Sequence, residues 1–310
     1  MKLRIQFVRC IKQSINFILL PFGSYKIVVY VFVLRFFRFL GLPHIYQKKL
    51  LDQPSIDSLK FVKTSIKSTS GGKYSYFTNS IDDLRYSCRT NFKDWEFVSR
   101  HFFVSIASDC EFILDIGAYT GVYSLETAIQ NPHCVINSFE PNPEIFRNLQ
   151  RNIEKNRLET RVKISQIALG RENKISNLYL PDEHWSSVAT LSTKASKSYT
   201  INMSTLDEVF LSNRIDLIKI DVEGYESEVF LGGQNLLTRF KPIILAEANT
   251  QDELRIQQIT LSKYGYKDPI HVFPGSEGDS RNFIWFSEKD EFKVNSFLNK
   301  SRTEFFKYHF

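Results

Sequence analysis

The sequence predicts an α/β fold, a mostly parallel sheet with helices on both faces, preceded by a helical extension. From Asp109 onward, apolar strands and amphipathic helices alternate in βαβαβ order, which implies parallel pairing. The first of those strands runs straight into Asp115-Ile116-Gly117-Ala118-Tyr119-Thr120-Gly121 before a helix begins, the nucleotide-loop position of a doubly wound sheet. Two further strands end in acids, at Glu140 and Asp221, on the edge of the sheet where such folds bind ligands.

Taken in order, residues 1–52 form a basic, hydrophobic extension. Phe7, Val8, Ile11, Ile15, Ile18 and Leu19 recur at helical spacing opposite Arg9, Lys12, Gln13 and Asn16, which predicts an amphipathic basic helix up to Pro21. Ile27–Leu34 is apolar all round and leads into Arg35 and Arg38 among phenylalanines, a pattern suited to an interfacial helix whose cations reach outward. No run attains the ~20 apolar residues of a spanning helix. Peripheral membrane contact through residues 1–40 is one expectation. Packing on the body or on a second subunit is the other, and oligomeric state stays open.

Residues 53–108 read as a connection. Gln53–Gly72 is polar and closes on Gly71-Gly72; Lys73–Thr78 and Leu84–Cys88 are expected to pair as a hairpin, and Asp94–Ile106 to form a covering helix. The main domain, 109–288, then contains strand Phe112–Ile116, helix Gly121–Gln130, strand Val135–Phe139, helix Pro143–Asn156 and strand Val162–Ala168. Strands Leu217–Ile220 and Ile243–Glu247, a helix over Thr250–Tyr264, and last strands around His271 and Phe283–Phe286 follow. Residues 289–310 are a C-terminal tail.

Composition sets limits on function. The 310 residues carry a net charge of +6, yet nine of the 40 Lys and Arg precede the first acid, Asp52; the remaining 31 face all 34 Asp and Glu, so the body is net −3. A nucleic-acid partner would want positive charge around the site, so none is expected. Cys10, Cys88, Cys110 and Cys134 form no metal-type spacing, and a reduced, cytoplasmic setting is the default.

The loop Asp115–Gly121 carries the sharpest chemistry. A dinucleotide fingerprint wants glycine where Tyr119 stands, so a pyrophosphate ligand fits poorly, whereas a ligand with a cationic centre tolerates Asp115 nearby. Gly117 and Gly121 allow close backbone approach. Glu140, in Phe139-Glu140-Pro141-Asn142-Pro143, stands where an acid accepts hydrogen bonds from ribose hydroxyls. The strand Leu217–Ile220 ends in Asp221, Glu223 and Glu226, although acids there also serve as ordinary first-turn helix residues.

Together with Ile167-Ala168-Leu169-Gly170, Thr205-Leu206-Asp207, Lys219-Ile220-Asp221-Val222-Glu223-Gly224 and Ile244-Leu245-Ala246-Glu247, these segments resemble the FkbM-type methyltransferases over Phe112–Glu247. The resemblance implies a Rossmann-like class I methyltransferase sheet of seven strands and S-adenosylmethionine (SAM) as cofactor. It further implies O-methylation of a small-molecule or saccharide acceptor. By position, Asp115, Gly117, Ala118 and Gly121 would cradle the methionine end of SAM, Glu140 with Pro141 and Asn142 the ribose, and Ile167-Ala168 the adenine, while Asp221 would face the transfer centre. Tyr119 departs from the family, which usually has Asn there.

A hydroxyl acceptor calls for a general base, worth about 10²–10⁴-fold. Glu223, Asp221, Glu247 and His184 are candidates, with Glu223 favoured because it follows the strand end by one short turn. No metal is expected, though Asp221, Glu247 and Asn249 are the residues that would hold a hard cation. N-methylation of a small molecule or protein, or a noncatalytic membrane- or partner-binding role, are the alternatives the residues leave open.

Overall fold

A computed structural model describes residues 62–78, 95–180, 197–210, 214–274 and 279–309. The helices expected in residues 1–52, the strand expected at Leu84–Cys88, and His184 and Trp185 lie outside the described residues. The chain divides into two compact units, Met1–Ile66 with Tyr76–Phe92 and Lys67–Ser75 with Lys93–Phe310. Residues 62–66 and 76–78 are the described part of the first.

Strands β1 (Val62–Lys67) and β2 (Lys73–Thr78) make a two-stranded sheet. The stretch read as a linker thus contains a strand, and Lys73–Thr78 pairs back to it. The reason lies in the turn: Gly71 adopts a φ of 104°, and Ser68 closes the loop by donating its amide to the Gly72 carbonyl at 2.7 Å.

The second unit starts with α1 (Phe97–Ile106), β3 (Phe112–Ile116), α2 (Val122–Gln130), β4 (Val135–Phe139) and α3 (Pro143–Lys155). Strands β5 (Val162–Ser165), β6 (Ala168–Leu169), β7 (Lys174–Leu180) and β8 (Lys197–Ser204) follow. Next come α4 (Leu206–Val209), β9 (Leu217–Ile220), α5 (Glu226–Gly232), α6 (Gln234–Phe240) and β10 (Ile243–Glu247). Helix α7 (Gln251–Lys263), strands β11 (Ile270–His271) and β12 (Asn282–Trp285), and helix α8 (Glu291–His309) complete it. Helix α8 packs on α1. Among the described residues, no helix is long and apolar enough to cross a membrane.

The main sheet has seven strands in the order β11-β12-β10-β9-β3-β4-β5. Strands β3, β4, β5, β9 and β10 run parallel, and β12 is antiparallel to both β10 and β11. The chain winds outward from β3 through β4 to β5, then returns to β9 on the other flank, so the topological switch point lies between β3 and β9. The single strand expected at Val162–Ala168 is in fact two. The main-sheet pairing ends at Ser165, whose carbonyl accepts the Glu140 amide, and Ala168 leaves to pair with Met203 in a small sheet, β6-β8-β7.

Alternation across the pleat separates two faces. On one, Leu114, Ile116, Ile218, Ile220, Ile244 and Ala246 bury against α4–α7 side chains such as Leu206, Phe230, Leu237 and Leu261. On the other, Asp115 stands in register with Ser138 on β4 and Lys219 on β9, and Lys219 with Leu245 on β10. Helix α2 covers this polar seam through Tyr123, over whose ring the Lys219 ammonium lies at 5.0 Å, and through Ser124.

Candidate functional site at the strand tips

The site begins where β3 ends. Gly117 and Ala118 donate their amides to the Phe139 carbonyl at 3.0 and 2.9 Å, and Asp221 donates its own to Ile116 at 2.9 Å, which ties the tips of β4, β3 and β9 together. Gly117 has a φ of 77°, and a Cβ there would lie 1.8 Å from the Asp221 carbonyl oxygen. Glycine is thus demanded twice, by conformation and by the close approach of two backbones. Gly121 has a φ of 92° and caps the start of α2, against Leu149 of α3.

Asp115 is buried behind the loop. Its Oδ2 accepts the Ser124 hydroxyl at 2.5 Å, and Ser124 in turn contacts Ser138 at 2.7 Å. Burial raises the Asp115 pKa, against the opposing pull of Ser124 and Lys219. Glu140 holds the loop from the next strand tip: one carboxylate oxygen accepts the Tyr119 amide at 2.9 Å and the other the Asn142 amide at 2.8 Å. Burial pushes it up to about 7, with the charges of Asp115 and Asp221 adding to the rise. The three acids that the sequence placed on neighbouring tips are therefore close enough to feel one another.

Tyr119 sits at a φ of 50°. Asparagine tolerates this left-handed region far better than an aromatic residue. Asn142 caps α3 by accepting the Glu144 amide at 3.0 Å, and its own Nδ2 is a buried donor without a partner among the described residues.

On β9, Lys219 and Asp221 are two residues apart and share a face. The Lys219 ammonium, fully buried, meets Asp221 Oδ2 at 3.0 Å, while the Asp221 side chain keeps 26% exposure. Burial opposes the Asp221 charge, but Lys219, with hydrogen bonds from Glu247 and Lys219, outweighs it and lowers the pKa. Lys219 itself is raised: burial disfavours its charge, and Asp221 and Glu96 more than restore it.

Glu223 follows at a φ of 54°, a strained backbone of the kind found at functional sites, and burial with the Asp221 charge raises it to about 7. Glu226 has a different task. Its Oε1 accepts the Val222 and Gly224 amides at 3.0 and 3.3 Å, locking the loop that presents Glu223. Glu247, at the tip of β10, pairs with Arg281 at 2.9 Å, and Arg281 reaches Asn249 at 2.6 Å. With Lys219 on Asp221 and Arg281 on Glu247 and Asn249, the residues considered for a hard cation already face side-chain cations.

Other motif residues are used by the fold. Ala168 packs with Leu178, Ile201 and Met203 in the small sheet. Gly232 lets helix α5 approach Gly170, since a Cβ on Gly232 would lie 1.9 Å from the Gly170 carbonyl. Thr205 caps α4 through the Glu208 amide, and Asp207 caps α6 by accepting the Asn235 and Leu236 amides at 2.9 and 2.8 Å. Sequence reasoning passed over Lys219, Arg281 and Glu96. Lys219 had a signal: a lysine inside the apolar run Leu217–Ile220 requires a buried partner. Glu96, which accepts the Tyr123 hydroxyl at 2.7 Å, had none.

A parallel sheet whose order reverses at β3, an antiparallel strand inserted next to its last parallel strand, and acid tips around a glycine loop define a Rossmann-like class I methyltransferase fold. Residues 115–268, about half of the chain, match the family described as the Methyltransferase FkbM domain. A curated relative, Methyltransferase 1 of Beauveria bassiana (strain ARSEF 2860), is 26% identical over 44% of this chain and 64% of its own length. The crystal structure of Methyltransferase FkbM from Methylobacillus flagellatus KT matches with a TM-score of 0.46 and 16% identity, covering 66% of this chain and 54% of that one. Aeropyrum pernix fibrillarin with natively bound S-adenosyl-L-methionine matches with a TM-score of 0.38 and 15% identity, over 61% of this chain and 72% of the other. The chain thus spans less than two thirds of the first two relatives.

Proposed function

We propose that this chain binds SAM and transfers its methyl group to a hydroxyl of a saccharide or other natural-product scaffold. The observation that carries this reading is the meeting of the Gly117 loop, Glu140 and Asp221 at the switch point. The residues fit the cofactor. A glycine without room for a Cβ, a buried unpartnered donor on Asn142 and an excess of carboxylates over cations suit a ligand with a nucleoside, an amino-acid end and a positive sulfur, and no phosphate.

When bound, SAM supplies a methyl group on a sulfonium that leaves as a neutral thioether. Gly117, Ala118 and Gly121 border its amino-acid end, with Asp115 bracing the loop from behind. Glu140, whose oxygens each retain a lone pair after taking one amide, holds the ribose with Pro141 and Asn142 beside it. The stretch at Ala168 borders the adenine. Asp221 faces the transfer centre, and alignment of acceptor and methyl group contributes ~7–11 kcal/mol. Glu223, raised to about 7, removes the acceptor's proton near neutral pH. A cytoplasmic setting, argued from the cysteine pattern, and peripheral membrane contact through residues 1–40, argued from the basic amphipathic pattern, belong to the same proposal.

Calorimetric titration with SAM and S-adenosylhomocysteine tests the first step. Incubation with labelled SAM and saccharide or lipid extracts, followed by mass spectrometry of the product, tests the second. Absence of SAM binding removes the proposal; label on nitrogen replaces the acceptor class.

A further inference from the structure

The tips of β9 and β10 bring two carboxyl groups side by side: Ile220 pairs with Ala246 across the parallel strands, and the next residue on each is Asp221 and Glu247, the first facing Lys219 and the second Arg281. An ionised carboxylate only accepts hydrogen bonds, so a bond between two carboxyl groups requires a proton on one of them. Their surroundings decide which. Asp221 receives the ammonium of fully buried Lys219 at 3.0 Å, an interaction that water does not screen on the lysine side. Glu247 is 5% exposed, and its cationic neighbour, Arg281, is 52% exposed and stands in solvent. Lys219 therefore keeps Asp221 ionised, and the proton rests on Glu247. One Glu247 oxygen accepts from Arg281, which a neutral acid does equally well, and the other is left to donate.

We propose that Glu247 is a neutral carboxylic acid that donates its O–H to Asp221, and that with Lys219 it fixes the Asp221 carboxylate in the orientation presented at the site. Glu247 is on this account a positioning residue, not the base for the acceptor hydroxyl. The inference deepens the methyltransferase reading and rests on it for the role of Asp221, while the protonation of Glu247 is argued from this chain's own residues and does not depend on that role. The direction of titration agrees: burial, then the Asp221 charge, raises Glu247 to about 10. The groups facing it are Asp221 and Lys219 at β9, Arg281 ahead of β12, and Glu96 ahead of α1, itself bonded to Tyr123 and close to Asp279.

Two measurements test this. The first is an infrared difference spectrum of the full chain without ligand, wild type minus Glu247→Gln. It is taken at about pH 8.5, where Glu96, Glu140, Glu223 and Glu226, raised to about 7, are ionised. A carboxylic-acid C=O band that shifts in D₂O is expected, and its absence overturns the proposal whether or not the chain binds SAM. The second is turnover. Glu247→Gln places an amide donor against Asp221 and a carbonyl against Arg281, so its kcat stays within about threefold of wild type, and Glu247→Ala loses about tenfold or more. Wild type should lose turnover as the pH rises through about 10, and Glu247→Gln should lack that alkaline limb. If Gln is as damaging as Ala, or keeps the limb, Glu247 acts as an ionised group and the proposal falls.

Discussion

Replacing Lys219 by Met removes the buried cation on which the acid cluster depends. Methionine keeps the length of the apolar stem, so the change is chiefly one of charge. At 3.0 Å and an effective dielectric of about 20, the Lys219–Asp221 attraction is worth about 5–6 kcal/mol before desolvation is counted. Stranding one partner of a buried pair costs about 3–5 kcal/mol, and the 26% exposure of Asp221 lets water in and favours the lower end, about 3 kcal/mol. For a domain of this size that is a fall in Tm of roughly 6–12 °C. The loss should also depend on pH, with a definite sign. In the wild type, Asp221 has a lowered pKa, so its stabilisation is present above the unfolded value of about 3.9 and disappears as pH falls through the folded value. In the variant, Asp221 lies buried near Glu96, Asp115 and Glu247 without the ammonium. Its folded pKa then rises above the unfolded one, and its penalty grows as pH climbs. Thermal unfolding of both proteins from about pH 4.5 to 7.5 should show the gap widening throughout, and Lys219→Met/Asp221→Asn should recover more than half of it. A gap that is constant with pH, or a double variant no more stable than the single one, would refute the reasoning.

Gly117→Ala forces a left-handed backbone on alanine, about 1–2 kcal/mol, and pushes its methyl into the Asp221 carbonyl; a loss of about 3 kcal/mol or more is expected in urea unfolding, and an unchanged midpoint would contradict the close approach. Tyr119→Asn relieves a φ of 50° and should stabilise by about 0.5–1 kcal/mol, seen as a higher urea midpoint with an unchanged m-value. Affinity for SAM should rise with pH through about 7, because Glu140 and Glu223 ionise there and a sulfonium favours their charged forms. S-adenosylhomocysteine, whose sulfur is neutral, should show a smaller change, and calorimetry at about pH 6 and 8 compares the two. Equal pH dependence for both ligands would dissociate the acid cluster from sulfonium recognition.

The parallel core was readable because each of its strands is a short apolar run bounded by turn residues. Phe112–Ile116, Val135–Phe139, Leu217–Ile220 and Ile243–Glu247 come out with the bounds their hydrophobicity predicts. The failures occur where local pattern meets a choice of partners. Val162–Ala168 reads as one strand, and only the end of β4 at Phe139 dictates that it breaks at Ser165 to serve two sheets. Lys73–Thr78 pairs back to Val62–Lys67 across the Gly71 turn, a strand that the polar composition of Gln53–Gly72 did not announce. At the site, Asp115, Glu140 and Asp221 are recognisable from strand-end position. Glu96 and Arg281 are not, because they arrive from outside the βαβ units, and nothing in their own neighbourhoods marks them as partners of Asp221 or Glu247.

Acids in the motifs divide by how much hydrogen-bonding capacity the fold has already used. Asp207 is engaged at both oxygens by the amides of α6, and Glu226 takes two amides of the Asp221–Gly224 loop on one oxygen. Substituting either would disturb the scaffold first and the chemistry through it. Glu140 is intermediate, since each of its oxygens accepts one amide and has room for one more donor. Asp221 is held from below by Lys219 and from the side by Glu247, yet stays partly exposed at the crevice. Glu223 lies on a strained backbone whose shape is imposed by Glu226 beneath it. The gradient from fully engaged to partly open runs from the helices behind the sheet toward the switch point. On the proposed function, a ligand with hydroxyls and a positive charge would complete what the fold leaves unfilled there, and an anionic one would meet the acids without compensation.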